Sequence, residues 1–347
     1  MSKKRRQKSI SPSKNESPSV ENQTAAKASA NFPKFLIFGA IALLVCGGAA
    51  AAYFYKNFTA KRTNRPIGAV AACQPIPAFA RGLGFGSQAV LSTSDRVLQG
   101  LVIAEGERKY QHPSWKSAGS LAPIQRDAAG NVYAAPAPWI DTLENKPAEQ
   151  NKIYRVDADT QEMKEFVELP KPKTPTAENP FGVLGLTYDC DTSSLYAATV
   201  FGSTRRETNG GIYQIDTKTG KIVSQKTGFD PIGVGVFNSA KGKRLYYGSA
   251  RLSEVWSVDL NDDGSLTGES RREISLENLG ARGDDKARRI NFVQNGQNFE
   301  MIVFGIEFGF NLIAPTEKQE TVYRFRYDLA KDAWNYQAEP PKLIAIQ

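Results

Sequence analysis

Apolar and polar positions divide the chain into a polar lead, one long apolar run and a large remainder of short alternating segments. The lead, residues 1–34, reads MSKKRRQKSISPSKNESPSVENQTAAKASANFPK. Such a stretch buries too little surface to offset its chain entropy and is expected to be disordered. FLIFGAIALLVCGGAAAAYFY follows over residues 35–55, without a charge. At 1.5 Å per helical residue this run matches the ~30 Å hydrocarbon core of a bilayer. It predicts one transmembrane helix, with Tyr53, Phe54 and Tyr55 in the interfacial belt. Residues 56–78 read as a linker, and residues 79–347 show no sustained 3.6-residue period.

What recurs there is a four-part unit. A small apolar strand ends in a polar turn, a second strand carries a Leu/Val-Tyr pair, a third reads Ile-Tyr-x-x-Asp, and a more polar strand follows a turn. Copies occupy residues 120–169, 182–229, 232–274 and, more loosely, 288–337. Corresponding aromatics fall at Tyr154, Tyr213, Trp256 and Tyr323. Residues 79–115 form a degenerate copy, and the terminal PPKLIAIQ offers a closing strand. Four-stranded units repeating at this spacing predict an all-β fold, a β-propeller of five to six blades. A solenoid competes, but neither end of the array has a polar capping repeat.

The repeat, GVxxx-D/N-xxG-x-LYxx followed by IYxID and TGK, resembles the NHL, SMP-30/gluconolactonase and YVTN groups of β-propellers. The resemblance implies a ring of five to seven blades around a central channel. Fold alone carries no function. SMP-30-like hydrolases hold a divalent metal with Glu, Asn and Asp that project into the channel. Here the innermost strands read LAPIQ, VLGLTY, GVGVF and INFVQ, with no carboxylate inside them.

Charge alters the picture chiefly by its location. The formal net charge is +8, yet residues 1–55 hold eight Lys/Arg against Glu16 and Glu21. The repeat region is therefore near neutral, which argues against a nucleic-acid domain. The larger basic cluster precedes the apolar run, which predicts a cytoplasmic N-terminus and a periplasmic or otherwise extracytoplasmic C-terminal domain. Cleavage after the Ala50-x-Ala52 pattern, or lipidation at Cys46, are the alternatives to a retained anchor. Cys73 and Cys190 either pair in an oxidising compartment or remain two buried thiols.

Blade topology sends the loops between strands one and two, and three and four, to one rim, where all are tight turns. Loops joining strands two and three, and blade to blade, reach the other rim and are long. Long loops on a rigid frame are where binding residues concentrate, so this long-loop rim is the expected interaction surface. Its candidate binding residues are Trp139, Arg205, Arg206, Arg288 and Arg289, the arginines suiting an anion through bidentate contacts. Glu307, Asn311, Asp284 and Asp285 are weaker candidates for oxygen donors to a divalent metal. His112, the sole histidine, has no signalled partner and reads as structural. The chemistry points to a non-catalytic module that binds a protein or small molecule. The alternative is a metal-dependent lactonase or esterase.

Overall fold

The computed structural model describes residues 65–70, 73–95, 97–138, 145–173, 178–311, 319–337 and 341–345. The expected tail and the apolar run at 35–55 lie outside the described residues. Among the described residues no helix is long and apolar enough to cross a membrane.

The chain is all-β and forms a five-blade propeller. A two-residue strand, β1 (Gly68–Ala69), and a short helix, α1 (Ala78–Gly82), precede the blades. Blade 1 has three strands, β2 (Val90–Ser92), β3 (Val102–Glu105) and β4 (Arg108–Tyr110), one fewer than the repeat predicts. Blade 2 holds β5 (Leu121–Arg126), β6 (Val132–Pro136), β7 (Lys152–Val156) and β8 (Met163–Glu168). Blade 3 holds β9 (Val183–Asp189), β10 (Ser194–Thr199), β11 (Gly211–Asp216) and β12 (Ile222–Thr227). Blade 4 holds β13 (Pro231–Ser239), β14 (Gly242–Ser249), β15 (Glu254–Leu260) and β16 (Leu266–Ser275). Blade 5 holds β17 (Lys286–Asn295), β18 (Asn298–Ile306), β19 (Gln319–Asp328) and β20 (Ala333–Tyr336). The terminal strand β21 (Lys342–Ala345) pairs with β19, so it extends blade 5 itself.

Strand periodicity explains the Leu/Val-Tyr pair. Successive side chains on a strand point to opposite faces. Val132 therefore enters the core between blades 1 and 2, and Tyr133 that between blades 2 and 3. Leu195 and Tyr196 divide likewise between the interfaces on either side of blade 3. Leu245 and Tyr246 do so for blade 4. Buried on both faces, β10 is apolar or small almost throughout, whereas the outer β12 alternates half-buried and exposed residues.

Glycines in the inner strands let neighbouring blades meet backbone to backbone. A Cβ at Gly185 would stand 2.4 Å from the Ile232 carbonyl oxygen, and one at Gly233 2.6 Å from that of Arg288. Asp at the end of strand three closes a turn in three blades. Asp157 Oδ1 accepts from the amides of Asp159 and Thr160, Asp216 from Lys218 and Thr219, Asp328 from Ala330 and Lys331. These carboxylates shape turns.

The described part of the expected linker is built into the ring. Gly68 and Ala69 pair with Asn238 and Phe237 at the tight-turn end of β13. Ile67 packs into the core between blades 4 and 5, and Val70 into that between blades 3 and 4. A disulfide then joins Cys73 to Cys190 in the β9–β10 turn, with a Cα–Cα distance of 5.9 Å.

Candidate functional site: the long-loop rim

Buried polar side chains pin the long loops. Asn145 donates to the carbonyls of Ala118 and Ser120 and accepts from the Ser120 amide. Asn179 donates to the carbonyls of Val200 and Ser203, each at 2.9 Å. Asp230, its carboxylate fully buried, accepts from Ser203, from the Gly210 amide and from Arg251 Nε at 2.6 Å. Arg251 also donates to the carbonyls of Thr204, Arg205 and Glu207. One guanidinium from blade 4 thus fixes the loop between β10 and β11.

Blade 5 repeats the device with other residues. Asp285, again with a fully buried carboxylate, accepts from Arg282 at 2.6 Å and from the Tyr323 hydroxyl at 2.7 Å. Burial works to raise its pKa, but hydrogen bonds from Arg282, Thr321 and Tyr323 outweigh that and hold it below the ordinary carboxylate value. Burial and the Asp285 carboxylate together push the Tyr323 hydroxyl well up. Glu320, buried too, is shared by Arg288 and Arg289, and Arg289 also lies over the Phe304 ring at 4.1 Å.

The centre of this rim is apolar. Residues 307–311 run from the end of β18 towards blade 3 as a strap. Phe310 on it is 4% exposed and joins Val200, Ile232, Ala250, Phe181, Leu184 and Phe308 in one cluster. Phe308 lies 5.5 Å from Phe181 and 5.2 Å from Phe310, measured between ring centroids. Arg251 stacks over Phe310 at 5.0 Å, a cation–π contact. Phe310 has φ 65°, a left-handed conformation that costs a bulky residue on the order of 1–3 kcal/mol.

The candidate arginines of the rim make contacts of their own. Arg288 and Arg289 are committed to Glu320, while Arg205 Nε reaches the Gly309 carbonyl at 3.5 Å and Arg206 is exposed. Trp139 lies outside the described residues. Glu307 and Asn311 are exposed on the strap, and Asp284 is exposed in the loop before β17. Among the described residues no group of three or more His, Cys, Asp or Glu is placed to hold a metal ion. His112 caps a short 3-10 turn, its Nδ1 accepting from the Ser114 amide at 3.3 Å. The residues that organise the rim, Arg251, Asp230, Phe308 and Phe310, carry no motif. Their signal is a lone charge or ring in a loop, meaningful only once blades are placed side by side.

No protein-family profile matches the chain, and no curated protein matches it. Solved structures do. TolB from Acinetobacter baumannii is similar at 16% identity over 76% of this chain and 68% of that one, with a TM-score of 0.35. A nidogen/laminin complex is similar at 12% identity over 70% of this chain and 74% of that one, TM-score 0.39. A thermostable family-43 glycoside hydrolase is similar at 10% identity over 63% and 71%, TM-score 0.39. At these values no activity, ligand or partner passes to this chain.

Proposed function

We propose that the protein is a membrane-anchored, extracytoplasmic binding or scaffold module that engages a protein or small-molecule ligand through its long-loop rim, without catalysis. The observation that carries this reading is the state of the rim's buried acids. Asp230 and Asp285 each give one oxygen to a guanidinium and the other to neutral donors, Glu320 gives one to each of two guanidinium groups, and Phe308 and Phe310 pack with Val200, Ile232 and Ala250 in one apolar cluster. A rim of long loops pinned by buried polar contacts is a preorganised surface, which lowers the ordering cost of binding.

Two features support the placement. The Cys73–Cys190 disulfide suits an oxidising compartment, and the apolar run with its basic flank suits an anchor. The described chain enters the ring beside the tight turns, where Arg65 pairs with Asp262.

The alternative, a metal-dependent lactonase or esterase, requires carboxylates free to take a cation. Metal analysis of the purified full chain, with thermal melts in chelator and without, tests the choice. No stoichiometric ion and an unchanged melt are expected. A stoichiometric Ca, Mg, Mn or Zn ion whose removal lowers the melting temperature would move the reading to the hydrolase. For the rim itself, a photo-crosslinking residue at position 206 should capture a partner that one at position 218, on the tight-turn rim, does not. The reverse pattern would overturn the assignment of the rims.

A further inference from the structure

The described chain enters the ring along the tight-turn rim and visits the blades in reverse order. Ile67 packs into the core between blades 4 and 5, Gly68 and Ala69 pair with the end of β13, and Val70 joins the core between blades 3 and 4. Cys73 is bonded to Cys190 of blade 3. The Pro75 carbonyl accepts from Arg126 of blade 2 at 3.3 Å, and the Phe79 amide donates to the Ala158 carbonyl at 3.2 Å. At Phe79 the chain becomes part of the core between blades 1 and 2.

Between Arg65 and Pro75 the non-covalent hold is slight. The ladder is two residues long, Val70 is buried, Ile67 is half-buried, and Arg65 meets the half-exposed Asp262 at the surface. Ordering a backbone costs chain entropy at every residue. Two apolar side chains and so short a ladder offset only part of that cost over this length. The covalent bond supplies the rest, because holding Cys73 beside blade 3 removes most of the freedom a loose segment would have. Neither cysteine belongs to a blade-to-blade core among the described residues. Both are half-buried, and Cys190 stands in the β9–β10 turn beside the exposed Asp191. A disulfide at such a surface position is open to thiol–disulfide exchange.

We infer that Cys73–Cys190 is a redox latch: a dithiol reduces it, and the entry segment then leaves the tight-turn rim while the five blades stay folded. A thiolate of the dithiol attacks one sulfur, and the other sulfur leaves as a thiolate and takes up a proton. The second thiol of the reductant, as its thiolate, then resolves the mixed disulfide. Two electrons pass from the dithiol to the cystine, so the reductant ends as a disulfide and both cysteines as thiols. Residues 65–75, once released, add up to about 40 Å of extended chain. On the reading of the protein as anchored, the latch sets how far the ring can stand from the membrane.

The test uses the full chain without denaturant, equilibrated with reduced and oxidised dithiothreitol in graded ratios. Peptide-mapped alkylation reads the state of Cys73 and Cys190, and hydrogen exchange reads the entry segment and the blades. Reduction is expected in the folded protein. It should speed exchange at residues 67–70 about a hundredfold, while the amides of β10 and β14 keep their protection and reoxidation restores the slow exchange. Cysteines that reduce only in urea strong enough to unfold the ring would overturn the inference. So would reduction that leaves residues 67–70 unchanged, or that unfolds the blades along with them. Cys73→Ser combined with Cys190→Ser should show the fast exchange at every ratio; slow exchange in that variant would mean that other contacts hold the segment and would equally sink the latch. Failure of the anchored reading would leave all of these measurements as they are and would remove only the consequence for reach.

Discussion

Both rims of the ring use buried ion pairs, but their loops are organised differently. On the tight-turn rim most turns close on themselves, as Asp157, Asp216 and Asp328 do on amides two and three residues ahead. Longer ties there are ionic or covalent. Lys243, 1% exposed in its side chain, places Nζ 2.7 Å from both oxygens of Asp189 and 2.6 Å from Asp191. Arg244 reaches Asp332 on blade 5 at 2.7 Å. The long-loop rim instead depends on side chains that meet across three blades, with Arg251 and Phe310 at the centre. Turns on the first rim are shaped mainly by their own residues, whereas loops on the second are shaped by residues from neighbouring blades.

The largest expected effect breaks the first of these rims. Asp189→Ala leaves Lys243 buried with only the half-exposed Asp191. Removing one partner of a buried pair costs about 3–5 kcal/mol, so the urea midpoint should fall sharply while residues 307–311 keep their hydrogen-exchange pattern. A loss well under about 1 kcal/mol would show that the ion cluster is not what clasps blade 3 to blade 4. Next comes the disulfide. It spans 117 residues of sequence, and replacing both cysteines with serine should cost about 2–4 kcal/mol. The loosening should appear first at β1 and the paired end of β13. Early loosening at the opposite rim would mean that the rims are coupled.

The same contrast decides how much could be read in advance. Blade boundaries were legible because inter-blade packing needs residues of alternating face at fixed places, hence the Val132-Tyr133, Leu195-Tyr196 and Leu245-Tyr246 pairs. Turn chemistry was legible because Asp and Gly act on neighbouring amides. Blade 1 was harder to read, since its short third strand, β4, and the 3-10 turn after it lean on Gln161 of blade 2: Tyr110 and Trp115 both donate to that residue. The long-loop rim was legible as a place but not as a set of contacts. Nothing near Arg288 and Arg289 announces that Glu320, three decades along the chain, will take both. Likewise Arg251 and Asp230 lie 21 residues apart, and their pairing is a property of blade order.

Acid should weaken both rims and so offers a way to separate them. At Asp332 burial works to raise the pKa, but hydrogen bonds from Arg244 and Tyr327 hold it below the ordinary carboxylate value, as at Asp285. Each group binds its proton less readily folded than unfolded. Its contribution is therefore complete above the unfolded value of about 3.9, and is lost as pH falls through the lower folded value. Unfolding free energy measured in urea should be level from pH 7 to about 5 on this account and should fall below about 4. Asp332→Asn should flatten the acid response at the β19–β20 turn, and Asp285→Asn that at the start of β17. Identical curves for both variants and the wild type would remove these carboxylates as the cause.

The smallest expected effect tests whether the tight turns are as independent as their hydrogen bonds suggest. Asp216 accepts from the Thr219 hydroxyl and from the amides of Thr219 and Lys218, and these bonds hold its pKa below the ordinary value. Asp216→Ala removes them at an exposed site where water can replace part of what is lost, so a cost of about 1 kcal/mol is expected. Asp328→Ala, at the corresponding turn two blades away, should also lower the urea midpoint. Sites that share no partners add to within about 0.5 kcal/mol. The double variant should therefore lose the sum of the two single losses in urea unfolding, with no change in exchange at residues 307–311. A double loss well beyond the sum would show that the turns communicate through the ring, and the tight-turn rim would then share the cooperative character assigned here to its opposite.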